Sequence, residues 1–380
     1  MNILVNAFGI SDSGGVRVLE KFIVDCRNYK NKYSYFILIN DPKSYIYFIE
    51  KYSNYDAIKF ELVDHKNFFH RLYYENIIFK GLVKKYNIKL IYNFSGTGQL
   101  FLKHKQLLKI HNLLFYSRKL DSQYLRKLKI FPWLREVFLK SIIFKFFLTF
   151  SRNIEIQSSH VENALSRYRY ININKKNIFI KSDIDVSSNE FKPIKAYDFS
   201  KKIKILFIVG PHFEYEHKNF KDFVNAMVEL LKLNINFEIH ITLSDDQLNN
   251  SNLWDSSLTP ITRCYGYLSE ANMIEKMFCD NSILISTSIV ETLGLHVIEA
   301  IKNGIISIVP DEEYCKEVYG SDLIYYELFN KRSLLNALLG IIKTPKSLSD
   351  KIKLQRKYLI ENEEKKFNNV NEIFKEIENV

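Results

Sequence analysis

Two carboxylates, Glu291 and Glu299, stand eight positions apart in the stretch SIVETLGLHVIEA (288–300), between the apolar runs SILIS (282–286) and IISIV (305–309). Apolar runs of this length read as buried strands, so the segment between them is a loop followed by a helix. The spacing predicts that the helix begins near Leu293 and stops before Gly304, a residue suited to the position after a helix end. The backbone N–H groups of Thr292, Leu293, Gly294 and Leu295, with the helix dipole, suit a diphosphate. Gly294 lets such a group come close to the backbone. Glu291 precedes the helix and Glu299 lies in its second turn, so they cannot address the same atom. One carboxylate then serves one end of a long ligand, and the other serves a diol such as a ribose. The plainer alternative is that both merely favour a helix N-terminus.

These residues need a scaffold, and the rest of the chain supplies its pattern. Short apolar runs alternate with helical periodicity in both halves. Strands are expected at 2–8, 34–40, 58–63, 88–94, 106–111 and 154–158, and again at 203–210, 237–243, 262–268, 282–286 and 305–309. Between the first two, Leu19, Phe22, Ile23 and Cys26 share one face of a helix expected from Val16 to Tyr29. Further helices are expected at 219–233 and 269–279. The Ser, Asn, Pro and charge-rich stretch 185–202 reads as a linker. The pattern predicts an α/β protein of two Rossmann-like, doubly wound domains with parallel sheets, covering about residues 1–190 and 200–360. Such sheets bind ligands beyond the carboxyl ends of their strands, and two of them facing across a cleft would hold a ligand there.

Composition narrows the classes. The 380 residues are 47% hydrophobic and 26% charged, which suits folded cores and excludes a disordered or fibrous chain. The net charge of +11 is uneven. Residues 1–200 hold 33 Lys and Arg against 17 Asp and Glu, while residues 201–380 hold 21 against 26. The basic excess peaks at 101–150, with 11 basic residues and two acidic ones. A basic surface attracts nucleic acid, anionic lipid or phosphorylated substrates without choosing among them, and a coding bias toward Lys would also produce it. The four cysteines lie far apart with no C-x-x-C spacing, which fits a reducing compartment and suggests neither a zinc site nor a disulfide framework. The start, MNILVNAFGI, reads as a first strand and not a signal peptide. The stretch VFLKSIIFKFFLTF (137–150) is too short to span a bilayer and is interrupted by Lys140 and Lys145.

The string ETLGLHVIEAIKNG (291–304) resembles the E-x7-E signature of retaining glycosyltransferases of the GT-B fold, in particular glycosyltransferase family 4 (glycosyl transferases group 1). The resemblance implies that Glu291 approaches the donor sugar, that Glu299 binds the ribose hydroxyls, and that the amides of Thr292, Leu293 and Gly294 hold the diphosphate. ILFIVGPHFEYEHKNFKDFVNAMVEL (205–230) is similar to the family's first strand, loop and helix of the nucleotide-binding domain, and there Lys218 matches a lysine directed at the donor phosphates. Pro211 and His212 occupy the place of the family's arginine, which is a departure from the pattern. In GYLSEANMIEKMFCDNSILIS (266–286) the resemblance makes Tyr267 and Leu268 candidates for contact with the base. In FGISDSGGVRVLEKF (8–22) it gives Gly14 and Gly15, expected in a loop, the task of approaching the diphosphate from the first domain. In LLKIHNLLFYSR (107–118) it sets His111 against the donor sugar. PDEEYCKEVYG (310–320) resembles the turn that closes over the site, and the tail 365–380 resembles the last helix, which crosses back onto the first domain.

The implied function is a metal-independent, hexosyltransferase-type enzyme. It would use a nucleotide-diphosphate sugar as donor substrate, with no cofactor, and a glycan or lipid-linked acceptor. The family's common setting implies cytoplasmic assembly of surface polysaccharide, peripheral on the inner face of the membrane. The basic, aromatic stretch 129–150 fits contact with an anionic membrane surface; a buried helix with snorkelling lysines is the alternative. Among other functions, a glycoside hydrolase would need both carboxylates at one glycosidic oxygen, which a loop and a helix do not readily give. SGTGQL (95–100) lacks the third glycine of a nicotinamide-binding loop. A nucleotide-sugar epimerase on the same fold and a basic nucleic-acid-binding protein stay open, although no recognised nucleic-acid motif accompanies the charge.

Overall fold

A computed structural model describes residues 1–10, 13–27, 32–63, 68–94, 96–100, 102–168 and 170–379. It divides into two compact units. The first comprises 1–117, 129–185 and 364–380, and the second comprises 118–128 and 186–363.

Among the described residues, seven short strands build the sheet of the first unit: β1 (Asn2–Asn6), β2 (Ser34–Ile39), β3 (Ile58–Leu62), β4 (Leu90–Asn93), β5 (Lys105–Ile110), β6 (Asn153–Ile156) and β7 (Asn177–Ile180). All pair in parallel, in the order β3-β2-β1-β4-β5-β6-β7. Parallel strands need helical crossovers on both faces, so apolar residues point both ways. In β1, Ile3 and Val5 enter one core with Leu19, Phe22 and Ile23 of the helix Ser13–Arg27. Leu4 enters the opposite core with Phe79 and Val83. The helix Val370–Asn379 returns to the first of these cores through Val370, Ile373, Phe374 and Ile377. Its approach is guided by a parallel bridge between Lys181 and Phe367. The helix expected over 16–29 is described as Ser13–Arg27, and positions 28 and 29 lie outside the described residues.

One feature of this sheet is polar where apolar packing is the rule. Beyond the middle of β5, Lys109 is fully buried and meets Glu155 of β6 and Asp183, the latter at 2.6 Å. Lys181 adds a 2.7 Å ion pair to Asp183, and Tyr92 of β4 donates to Glu155 at 2.8 Å. Burial pushes the Asp183 carboxyl up, yet the two lysine charges outweigh burial and hold it well below the usual carboxylate range. Such a network is stable only when every member is matched.

The second sheet has six strands among the described residues: β8 (Ile203–Phe207), β9 (Phe237–Ile241), β10 (Thr262–Cys264), β11 (Ser282–Ile285), β12 (Ile306–Pro310) and β13 (Ile324–Tyr326). The order is β10-β9-β8-β11-β12-β13, again all parallel. The chain therefore leaves the central strands in opposite directions, at β1/β4 in one sheet and at β8/β11 in the other. At such a reversal the loops beyond the strand ends separate and leave a crevice. The expected linker is partly docked on this unit: Lys192 and Lys195 donate to the carbonyls of Lys302 and Gly304. Residues 118–128 were not expected here. Their helix, Arg118–Arg126, is held by ion pairs of Lys119 with Glu312 and of Lys127 with Glu216.

Two glycines are required by geometry around the helix Leu295–Lys302. Gly304 (φ +73°) follows its end, and a Cβ there would come within 2.5 Å of the Pro193 carbonyl oxygen. Gly294 (φ +57°) is its N-cap, and a Cβ there would lie 2.0 Å from the Tyr319 hydroxyl. Gly294→Ala should therefore cost about 1–3 kcal/mol from backbone strain alone, with a further loss from the clash. Thermal unfolding of Gly294→Ala, Tyr319→Phe and the double variant checks this: the double variant should be more stable than the sum of the single effects. In the first unit, Glu155→Ala should cost about 3–5 kcal/mol by urea unfolding, because Lys109 and Tyr92 lose a buried partner.

Candidate functional site

The loops that leave β8 and β11 carry the two most chemical residues of the second unit. After β8 the chain forms a short turn, Glu216–Lys218, before Asn219 (φ +47°) caps the helix Phe220–Lys232. After β11 the loop carries Glu291 up to Gly294. The two loops are stitched together by backbone: Ile289 N–H donates to the His217 carbonyl at 2.7 Å, and Thr287 Oγ1 donates to the Lys218 carbonyl at 2.7 Å. Two buried tyrosines of the helix Glu313–Tyr319 hold the same loop from another side. Tyr314 donates to the Ser288 carbonyl at 2.7 Å, and Tyr319 donates to the Leu293 carbonyl at 2.8 Å.

This stitching brings Lys218 Nζ to 2.6 Å from Glu291 Oε1, with each side chain about a quarter exposed or less (25% and 20%). Burial favours the neutral carboxyl, but the Lys218 charge, then His296 and His217, outweigh it and hold Glu291 down to about 2. Burial pushes His296 down to about 4, aided by Lys218 and opposed by Glu291. Burial and the Lys218 charge push His217 down to about 3. At neutral pH Glu291 is therefore a carboxylate and both imidazoles are neutral. His296 Nε2 lies 3.0 Å from Ser286 Oγ at the end of β11.

The other expected residues occupy nearby or separate positions. Thr292, Leu293 and Gly294 lead into the helix, which starts at Leu295, two residues later than expected. In its first turn the Val297 N–H donates to the carbonyl of the N-cap, Gly294, at 2.9 Å. Glu299 is the fifth residue of that helix and is half-buried, on the stripe shared by Leu295 and Lys302 and away from the buried Val297, Ile298 and Ile301. Tyr267 and Leu268 lie in the turn beyond β10, which ends at Cys264 and so is shorter than expected. Gly266 (φ +64°) makes that turn, and Tyr267 is 80% exposed.

In the first unit, Gly14 and Gly15 occupy the opening turn of the helix Ser13–Arg27 and not the expected loop; residues 11 and 12 lie outside the described residues. A helix dipole at that point presents the same kind of positive end as the helix after Gly294. His111 directly follows β5, half-buried, with its ring 6.3 Å from that of Phe94. Lys109, two residues earlier, anchors that strand end in the buried ion network.

Sequence reasoning missed His296, Thr287, Tyr314 and Tyr319. His296 lies inside the Glu291–Glu299 stretch, so its position was visible and only its contact was not. The tyrosines lie within 310–320, the segment that resembles the turn closing over the site, but their contacts depend on the helix after β12 packing back on the loop after β11.

No protein-family model and no curated protein matches the sequence. Solved structures do match. Sucrose-phosphate synthase from Thermosynechococcus elongatus aligns at TM-score 0.68 and 13% identity, over 97% of this chain and 95% of that one. Alr3699/HepE of Anabaena, in complex with UDP and glucose, aligns at TM-score 0.65 and 12% identity over 100% of both chains. WaaG, a glycosyltransferase involved in lipopolysaccharide biosynthesis, aligns at TM-score 0.64 and 12% identity, over 94% of this chain and 95% of that one. The two parallel α/β units, with sheets of seven and six strands among the described residues, make this chain a GT-B fold of the kind seen in these glycosyltransferases.

Proposed function

We propose that the chain is a retaining, metal-independent glycosyltransferase of the hexosyltransferase type. It moves a sugar from a nucleotide-diphosphate sugar to a hydroxyl of a glycan or lipid-linked acceptor, in surface polysaccharide assembly. The observation that carries this reading is the Lys218–Glu291 pair, seated beside a helix N-terminus at the β8/β11 reversal. A cation and a row of backbone amides suit a diphosphate, and a carboxylate beside them suits a sugar ring that gains positive charge. Complexes of HepE with UDP and glucose and the lipopolysaccharide role of WaaG support the donor class and the setting.

In this reading the donor phosphates draw Lys218 toward them, and the amides of Thr292, Leu293 and Gly294 bind the same group. Negative charge grows on the leaving diphosphate as the glycosidic bond breaks, so these donors act more strongly in the transition state than before it. Glu291, already ionised, faces the developing oxocarbenium-like charge. Glu299 receives the ribose hydroxyls, and Tyr267 and Leu268 lie against the base. Gly14, Gly15 and His111, in the first unit, keep the roles that the resemblance gives them. Attack by the acceptor on the face that the diphosphate leaves would retain the anomeric configuration. The setting is cytoplasmic and peripheral to an anionic membrane surface.

Glu291→Gln should lower the transfer rate by about 10²-fold or more, while thermal stabilisation by the bound nucleotide sugar persists. Normal turnover in that variant would remove Glu291 from the reaction. Lys218→Ala should reduce stabilisation across a panel of nucleotide sugars, the measurement that also identifies the donor. Because Lys218 holds Glu291 down to about 2, its removal should move the acid limb of the pH–rate profile upward. An unchanged limb would separate Lys218 from the ionisation of Glu291.

A further inference from the structure

The stretch 129–150, open in sequence between membrane contact and burial, presents an unusual outer side over residues 130–150. The helix Ile130–Trp133, the wider turn Leu134–Phe138 and the helix Leu139–Phe150 follow one another without a break. One side of this rod is packed in the ordinary way: Val137, Ser141, Phe147 and Leu148 are buried, and the Phe144 ring stacks on Phe115 at 4.6 Å. The other side should then be polar, as on any surface helix. It is apolar instead. Phe131 (72% exposed) and Phe150 (67%) mark its ends, and Leu134, Phe138, Ile142 and Phe146 fill the interval at helical spacing. Contiguous apolar exposure on this scale marks a docking surface.

Charge selects the partner. Between 129 and 150 there are four basic residues and one acidic residue, and that one, Glu136, pairs with Arg135 at 2.8 Å. Lys129, Arg135 and Lys140 are exposed, while Lys145 lies over the Tyr168 ring at 4.1 Å. A second copy of this face would bring lysines against lysines. Duplex nucleic acid would match the charge but would leave the phenylalanines in water, and single strands stack bases on rings yet offer nothing to the aliphatic Leu134, Leu139 and Ile142. An anionic bilayer meets both, with phosphates at the level of the lysines and hydrocarbon beneath for the aromatic rings. Among the described residues no helix is long and apolar enough to cross a membrane.

We propose that the outer face of residues 130–150 inserts its apolar side chains into the interfacial zone of an anionic bilayer. This deepens the glycosyltransferase reading by naming the surface that presents a lipid-linked acceptor, and it rests on that reading only for the identity of the acceptor. The test uses the full chain with phosphatidylcholine vesicles, with and without phosphatidylglycerol. Wild type should co-sediment with the anionic vesicles and shift the Trp133 emission to the blue. Lys140→Ala should weaken binding roughly five-fold. Phe131→Asp/Phe146→Asp/Phe150→Asp should abolish it at all salt concentrations, with thermal unfolding showing that the fold is kept. Equal binding by the triple variant, indifference to phosphatidylglycerol, or self-association of the free protein that the triple variant abolishes would each overturn the proposal. Stabilisation by nucleotide sugars, measured without vesicles, reports on the donor reading separately: its loss with vesicle binding intact would sink the enzyme assignment alone.

Discussion

The Lys218–Glu291 ion pair depends on a constraint that neither side chain imposes. It forms because the loops after β8 and β11 are locked together by backbone and by two buried tyrosine hydroxyls. A pair on free loops would be worth little, since ordering two long side chains offsets most of the Coulomb gain. Here the ordering is done by Thr287, Ile289, Tyr314 and Tyr319. The charges meet with little further loss of freedom, and the carboxylate stays ionised despite its partial burial. That is the preorganisation a site needs to stabilise charge appearing during a reaction.

The same constraint explains several sequence choices beyond the pair. Gly294 leaves room for the Tyr319 hydroxyl, and no other residue type fits its left-handed backbone as cheaply. Glu216, one residue before His217, is tied to Lys127 of the helix Arg118–Arg126, so a segment from the first half of the chain steadies the turn that carries Lys218. In the first unit a comparable economy operates at the end of β5. The buried network of Lys109, Glu155, Asp183 and Lys181 gives that strand end a fixed position, and His111 directly follows it.

The surface of 130–150 obeys a different rule. The ion pairs around Glu291 and Lys109 match charge with charge, whereas this rod leaves aromatic rings in water. Single exposed apolar residues occur elsewhere, as at Leu62 and Leu233, whereas here six stand at helical spacing along one face. The exposed face and its lysines therefore belong together as one feature, and the linear composition of 129–150 left its burial undecided between core and surface.

Much of the architecture was legible along the chain. Runs such as YFILI and ILF carry the period and length of strands buried on both faces, and their alternation with helical stretches requires parallel sheets in two units. The edge strands β7 and β13 were not among the expected strands, and pairing with a neighbour is what makes NIFI and IYY strands. The Glu291–Glu299 spacing was a property of local sequence, because a loop and a helix translate it directly into two separated carboxylates. The partner of Glu291 was not local: Lys218 lies 73 residues away and arrives only when β8 and β11 pair side by side. Local periodicity determined which elements form, while the order of strands in the sheet decided which loops meet, since that order depends on packing summed over the whole chain.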